Sequence, residues 1–282
     1  MTAIADFLLE PLVRAALTED LAPWGDATSR AVIPPGTKGQ VALRARGPGR
    51  VSGMQVAAMA FRLINPGLTI TTHLADGAAC APNDILMSVS GDMAAILAAE
   101  RVALNFSGRM CGIATLTAAY VAAAAGTKAR ITCTRKTTPG LRLVEKAAVR
   151  HGGGANHRWG LGDAILIKDN HIAAAGGVAA VLAAARAARS HMMRIEIEVD
   201  TIDQLAEVLA LGGADCVLLD NMDTATLRRA VSLVAGRLVT EASGTMTLSR
   251  IAEVAATGVD YISVGALTHS APVLDLGLDF LA

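Results

Sequence analysis

From residue 131 onward one unit recurs: a short β-branched run ending on a polar residue, then an Ala- and Leu-rich helical stretch. The runs fall at 131–134, 164–167, 194–199, 216–219, 238–240 and 261–264, with helical periodicity at 141–150, 177–190, 202–211, 224–235 and 248–256. Strands that alternate with helices in this way lie parallel and are joined by right-handed crossovers, so six units favour a barrel or an incomplete barrel. A doubly wound open sheet is the alternative. In either case the carboxyl ends of the strands gather on one face or edge, bringing together Arg135, Lys168, Glu198, Asp220, Glu241 with Ser243, and Gly265.

The chain before this region follows another pattern. An amphipathic helix is expected at 7–18, strands at 41–45, 68–74 and 85–89, and a helix at 55–63. Pro34-Pro35-Gly36, Gly47-Pro48-Gly49 and Asn65-Pro66-Gly67 mark turns between them. This reads as a small α+β domain, joined to the barrel by a long helical stretch at 93–125. Glu100, Arg101, Asn105 and Arg109 interrupt that stretch and argue against a membrane span. Asp6 and Glu10, with no basic run, argue against a signal peptide. Because aromatic residues make up 3% of a chain that is 52% hydrophobic, the core must be built from Ala, Val, Leu and Ile.

Charge is segregated along the chain. Of 25 bases and 25 acids, eleven bases and three acids fall between residues 101 and 171, leaving 14 and 22 elsewhere. Convergent cations of this kind suit a small polyanion. Zero net charge and the lack of a basic tail argue against nucleic acid as the main partner. Cys80, Cys111, Cys133 and Cys216 are widely spaced without a CxxC pair, which reads as four buried thiols in a reducing cytoplasm rather than a disulfide framework or zinc site.

The chemistry concentrates in RKTTPGLRLVEKAAVRHGGGANHRWGLGDAILIKDNH, residues 135–171. Arg135-Lys136 opens a loop before a helix, and a helix N-terminus beside cations suits a carboxylate or phosphate. Gly152-Gly153-Gly154 would let backbone approach a ligand, and His157 and Arg158 add two cation-capable groups. Lys168 closes an apolar strand, where either anion binding or Schiff-base chemistry would account for it. In IEIEV, residues 195–199, alternation sends Glu196 and Glu198 to the face opposite the aliphatic residues. If that face is the barrel interior, both carboxylates need cationic or metal partners, with Arg135 and Lys168 the nearest candidates. Asp220 is placed for a divalent metal or a sugar hydroxyl, and Ser243-Gly244 with Gly265-Ala266 for a phosphate. The roles of Glu196, Glu241 and His269 stay open.

These motifs resemble the quinolinate phosphoribosyltransferase family, also called nicotinate-nucleotide pyrophosphorylase (carboxylating). The resemblance extends to EDLAPWGDATS at 19–29, ERVALNFSGRMCGIAT at 100–115, IEIEVD at 195–200, VLLDNM at 217–222, EASG at 241–244 and SVGALTHS at 263–270. It implies an incomplete (β/α) barrel over 113–270 and a smaller N-terminal α+β sandwich domain over 1–112, to which the tail 271–282 returns. The implied reaction is phosphoribosyl transfer from phosphoribosyl pyrophosphate to quinolinate with decarboxylation. Its products are nicotinate mononucleotide, pyrophosphate and carbon dioxide, in de novo NAD biosynthesis.

By the same resemblance Arg135, Lys136, His157, Arg158 and Lys168 bind the quinolinate carboxylates, and Arg101 joins them from the neighbouring subunit of a cytoplasmic homodimer or higher homo-oligomer. Lys136, Lys168, Glu198 and Asp220 are the implied catalytic residues, Glu198 and Asp220 also holding Mg2+. Ser243, Gly244, Gly265 and Ala266 match the phosphate loops. Cys111 stands where Ser is common in the family and Thr245 where Gly is frequent, whereas the NHR and IKDNH motifs are retained. A Schiff-base barrel aldolase and a non-catalytic anion-binding descendant are the competing readings.

Overall fold

The computed structural model describes residues 3–281. Met1, Thr2 and Ala282, the outermost residues of the expected domains, lie outside the described residues. In chain order the first elements are helices α1 (Asp6–Leu21) and α2 (Ala27–Val32), then strands β1 (Lys38–Ala45) and β2 (Gly49–Arg50). Helix α3 (Met54–Ile64), strands β3 (Thr69–Thr72), β4 (Ala79–Cys80) and β5 (Ile85–Asp92), and the 31-residue helix α4 (Met93–Ala123) follow. Next come β6 (Arg130–Thr132), α5 (Arg142–His151), β7 (Ile165–Ile167), α6 (Asp169–Ala175) and α7 (Val178–Ala188). The remaining elements are β8 (Ile195–Val199), α8 (Ile202–Leu211), β9 (Cys216–Asp220), α9 (Thr224–Val234), β10 (Val239–Ser243), α10 (Ile251–Ala255), β11 (Tyr261–Ser263), α11 (Ala266–His269) and β12 (Leu276–Phe280).

The chain forms two compact units, one comprising Met1–Ala118, Thr137–Gly153 and Thr268–Ala282, the other Ala119–Lys136 and Gly154–Leu267. In the first, an antiparallel sheet runs β12-β1-β5-β3. The tail strand pairs with β1 from Val41 opposite Phe280 to Ala45 opposite Leu276. Leu9, Val13, Leu43, Phe61, Leu86, Met87, Val89 and Ile96 form much of its core. Glycines let backbone segments approach closely here. A Cβ on Gly112 would collide with the Pro272 carbonyl, and one on Gly152 with the Ala114 carbonyl. Gly152 of the triple glycine therefore serves helix packing.

A buried ion pair ties α5 to this unit, although the sequence reading places that helix in the barrel. Glu145 has no exposed surface. Arg109 donates to it from Nε at 2.8 Å and from Nη2 at 2.5 Å, and Nη2 also reaches Thr138 Oγ1 at 2.7 Å and the Thr268 carbonyl at 2.9 Å. The Thr138 N–H donates to the other carboxylate oxygen at 3.1 Å. An N–H near the start of α5 thus has an internal acceptor, and the desolvated carboxylate is offset by a full set of donors.

In the second unit six parallel strands run β6-β11-β10-β9-β8-β7. Ile131 lies opposite Ile262, Val217 opposite Thr240, and Glu198 opposite Leu218. β6 and β7 are the two edges, so the barrel is incomplete. Residues around Ala155 line the β6 edge: the Ala155 N–H donates to the Ile131 carbonyl at 2.8 Å. Ile195, Ile197, Val217, Leu219, Ala242 and Ile262 are buried, as expected for strands covered on both faces. Thr201 with Gln204 boxes the start of α8, and Asp223 caps α9 through the Thr226 N–H at 2.7 Å. None of the four cysteines forms a disulfide, and Cys216 is half-buried rather than buried. Burial pushes the Cys111 thiol up to about 12 and Cys216 to about 11, leaving both as unreactive thiols. Among the described residues no single helix is long and apolar enough to cross a membrane.

Replacing Glu145 by Ala leaves Arg109 and the Thr138 N–H without their acceptor. Glu145→Ala is expected to lower stability by about 3 kcal/mol in chemical denaturation; an unchanged midpoint would contradict the pair's role.

Candidate active site

Within the parallel unit, the carboxyl ends of the strands surround a cleft of about 400 Å³, a volume suited to a compact small-molecule ligand. β6 leads into Thr134, Arg135 and Lys136, and the loop before β7 supplies His157 and Arg158. Leu166 and Lys168 come from β7 and its end, Glu198 from β8, Leu218 and Asp220 from β9, Glu241 and Ser243 from β10, and Ser263 from β11. Of the residues expected from sequence, Arg135, Lys136, His157, Arg158, Lys168, Glu198, Asp220 and Ser243 converge here. Gly244, Gly265 and Ala266 are outside this lining, in the segments directly after β10 and β11. Arg101 is exposed on α4, in the first unit.

Lys168 Nζ contacts Glu198 Oε2 at 2.6 Å. An ammonium engaged in this way is a poor Schiff-base nucleophile, which weighs against the aldolase reading. Arg158 donates from Nη1 to the Ala164 carbonyl at 3.1 Å, and its buried Nε has no hydrogen-bond partner. That N–H is a donor open to an anion. Burial pulls the Arg158 pKa down, and the nearby Arg135 charge lowers it further. Asp163 secures the same loop by accepting the N–H groups of Trp159 at 2.6 Å and Gly160 at 2.8 Å.

Beneath these cations lie His157, Glu196 and Glu241. The Arg158 N–H donates to His157 Nδ1 at 2.7 Å, so the ring proton resides on Nε2. Nε2 faces Glu196 Oε2 at 3.1 Å and Glu241 Oε1 at 3.6 Å. This pattern holds His157 as a neutral imidazole, whereas the sequence reading treats it as a further cation. Glu241 is 6% exposed. Burial first, and the Glu196 charge second, push its carboxyl from the ordinary 4.5 up to about 7. Sequence reasoning left both glutamates without a role. The alternation in IEIEV was the available signal for Glu196, and its strand-end position the signal for Glu241.

On the opposite side Asp220 Oδ2 accepts from Asn221 Nδ2 at 2.6 Å. Gly244, with φ of +93°, passes so close that a Cβ would strike Asn221. Arg250 braces both loops by donating to the Met222 carbonyl at 2.7 Å and the Gly244 carbonyl at 3.4 Å. Glu198 and Asp220 supply hard oxygen donors suited to a magnesium ion that keeps water and substrate oxygens as its other ligands. Among the described residues, the three-donor group capable of holding a metal is instead His157, Glu196 and Glu241. Arg158 lies close enough to Glu196 to feel its charge, so these acids act as countercharges to the cations above them.

A parallel α/β unit whose strand ends combine four cations with buried and ion-paired carboxylates defines a barrel-type enzyme for a small polyanion. Comparison with known proteins makes this specific. Residues 113–279 match the model of the quinolinate phosphoribosyl transferase C-terminal domain, and residues 26–111 that of its N-terminal domain. A nicotinate-nucleotide pyrophosphorylase [carboxylating] of Mycobacterium leprae is 44% identical over 95% of each chain. NadC from Streptococcus pyogenes is 38% identical and superposes over 100% of both chains with a TM-score of 0.95. The nicotinate-nucleotide pyrophosphorylase from Francisella tularensis gives 36% identity and a TM-score of 0.94, covering 99% of this chain and 98% of its own. The chain belongs to the quinolinate phosphoribosyltransferase family.

The Glu241 carboxyl has a thermodynamic signature. Its folded pKa is raised, so its contribution to stability is present below the ordinary 4.5 and is lost as pH rises through about 7. Glutamine does not titrate. The stability of Glu241→Gln relative to the parent is therefore expected to improve between pH 5 and pH 8 by up to about 3 kcal/mol, read by denaturant titration at each pH. A difference independent of pH would contradict the assignment.

Proposed function

We propose that this chain transfers the phosphoribosyl group of phosphoribosyl pyrophosphate to quinolinate and decarboxylates the adduct. The products are nicotinate mononucleotide, pyrophosphate and carbon dioxide, a step of NAD biosynthesis. The observation that carries this reading is the convergence of Arg135, Lys136, Arg158 and Lys168 with Glu198 and Asp220 on one strand-end face of a chain from this family.

The cations hold the two carboxylates of the pyridine diacid and orient its ring nitrogen toward the ribose, converting an encounter into a positioned attack. Loss of pyrophosphate gives the ribose carbon oxocarbenium character, which the Glu198 and Asp220 carboxylates stabilise. Bond formation turns the pyridine into a pyridinium, whose positive nitrogen stabilises the electron pair left on the ring when the adjacent carboxylate departs as carbon dioxide. Proton uptake then completes the nicotinate ring. Ser243, with Gly244, Gly265 and Ala266, is read as the phosphate-binding side. Glu198 and Asp220 are the residues that would hold Mg2+, which when bound neutralises charge on the leaving pyrophosphate.

Arg101 is read as completing the cleft of a second copy in a homodimer. Four cysteines without a disulfide suit a reducing compartment, taken here as the cytoplasm.

Pyrophosphate release is expected to require both quinolinate and magnesium, with nicotinate mononucleotide and carbon dioxide formed in equal amounts. Turnover with nicotinate and none with quinolinate would contradict the proposal. For the shared site, inactive Arg101→Ala and Lys168→Ala chains are mixed and hybrid dimers isolated. Partial recovery of activity is the expected result, since one cleft of each hybrid is then intact; inactive hybrids would count against a shared site.

A further inference from the structure

Two carboxylates lie side by side on the floor of a cleft whose other groups are arranged for anions. The donor atoms of His157, Glu196 and Glu241 lie within 4.8 Å of one another. His157 offers a single ring proton, because its Nδ1 already accepts the Arg158 N–H. That proton is directed at Glu196, at 3.1 Å. Glu241 Oε1, 3.6 Å from the same nitrogen, is buried without a hydrogen-bond partner. From β11 the Ser263 hydroxyl bonds the Glu241 carboxyl, and Arg158 feels the charges of Arg135, Asp163 and Glu196. Lys168 is already engaged by Glu198. Two ionised carboxylates this close and this buried repel one another strongly, so one of them holds a proton. Glu196 receives the imidazole N–H, and burial with the Glu196 charge beside it favours the protonated form of Glu241.

The charge beneath the ligand therefore depends on one proton. With Glu241 neutral, Glu196 is the one negative charge of the pair. Ionised, Glu241 sets a second negative charge below an incoming dianion. We infer that Glu241 is a specificity-determining residue through which the cleft couples binding of a dicarboxylate to uptake of one proton. The inference rests on quinolinate being the substrate, as proposed above. Because the carboxyl titrates near 7 in the free chain, a bound dianion raises its proton affinity further.

The test measures KM for quinolinate from pH 6 to pH 9 at saturating phosphoribosyl pyrophosphate and magnesium, with the parent chain and Glu241→Gln. The parent's KM is expected to climb roughly tenfold between pH 7 and pH 8.5 while that of the variant stays within about twofold, the two kcat profiles remaining parallel. Parallel KM profiles would overturn the inference and leave the substrate reading intact. No turnover of quinolinate by the parent at any pH would overturn the substrate reading, and the inference with it. If the variant does not fold, calorimetry of quinolinate binding to the parent chain at pH 8, in buffers of different ionisation enthalpy, decides the matter. An uptake approaching one proton supports the coupling, and none overturns it.

Discussion

Six parallel strands deliver their polar ends to one place, and no charge brought there is cheap to hold alone. Lys168 is engaged by Glu198, and Glu196 takes the His157 N–H. Glu241, buried beside Glu196 with one oxygen unsatisfied, is driven toward its neutral form. Arg158, whose buried Nε has no hydrogen-bond partner, offers a donor to a substrate. Charge balance at the strand ends thus links the topology to ligand choice: the crossovers fix which residues meet, and the burial of their meeting place fixes how many of them are charged.

Much of the barrel was legible because parallel strands buried on both faces read as continuous apolar runs. The runs at 131–134, 164–167, 194–199, 216–219, 238–240 and 261–264 correspond to β6 through β11, with ends shifted by a residue or a few. Helix α8 was legible to its boundaries because Thr201 and Gln204 cap it with side chains visible in sequence. Short or remote features were not. Helix α2 is six residues long and held by the Asp26 cap, and α6 starts immediately after a strand, too abruptly for a periodic signal. Neither periodicity nor turn chemistry showed that β12 would pair with β1, whose partner residues are more than two hundred positions away. Helix α5 groups with the first unit, where Glu145 pairs with Arg109, a contact that composition does not encode.

The candidate site was legible where one residue type at a strand end sufficed, as with Arg135, Lys168, Glu198 and Asp220. It was less legible where meaning depends on hydrogen-bond direction. A histidine beside an arginine reads as a second cation, yet the Arg158 N–H occupies its Nδ1 and makes it neutral. Glu241 reads as one more strand-end acid, and only its burial next to Glu196 distinguishes it from Glu198, which has a lysine partner. Gly152 looks like a ligand-facing glycine but is required by the approach of α4.

The central claim is that this one cleft receives both carboxylates of the pyridine diacid. A crystal structure of the chain with quinolinate bound tests it most directly. The account predicts the diacid inside the lining formed by Arg135, Lys136, Arg158 and Lys168, with its carboxylates on those cations and Glu241 beneath. Quinolinate seated outside that lining, or held without contact to Arg135 and Arg158, would contradict it.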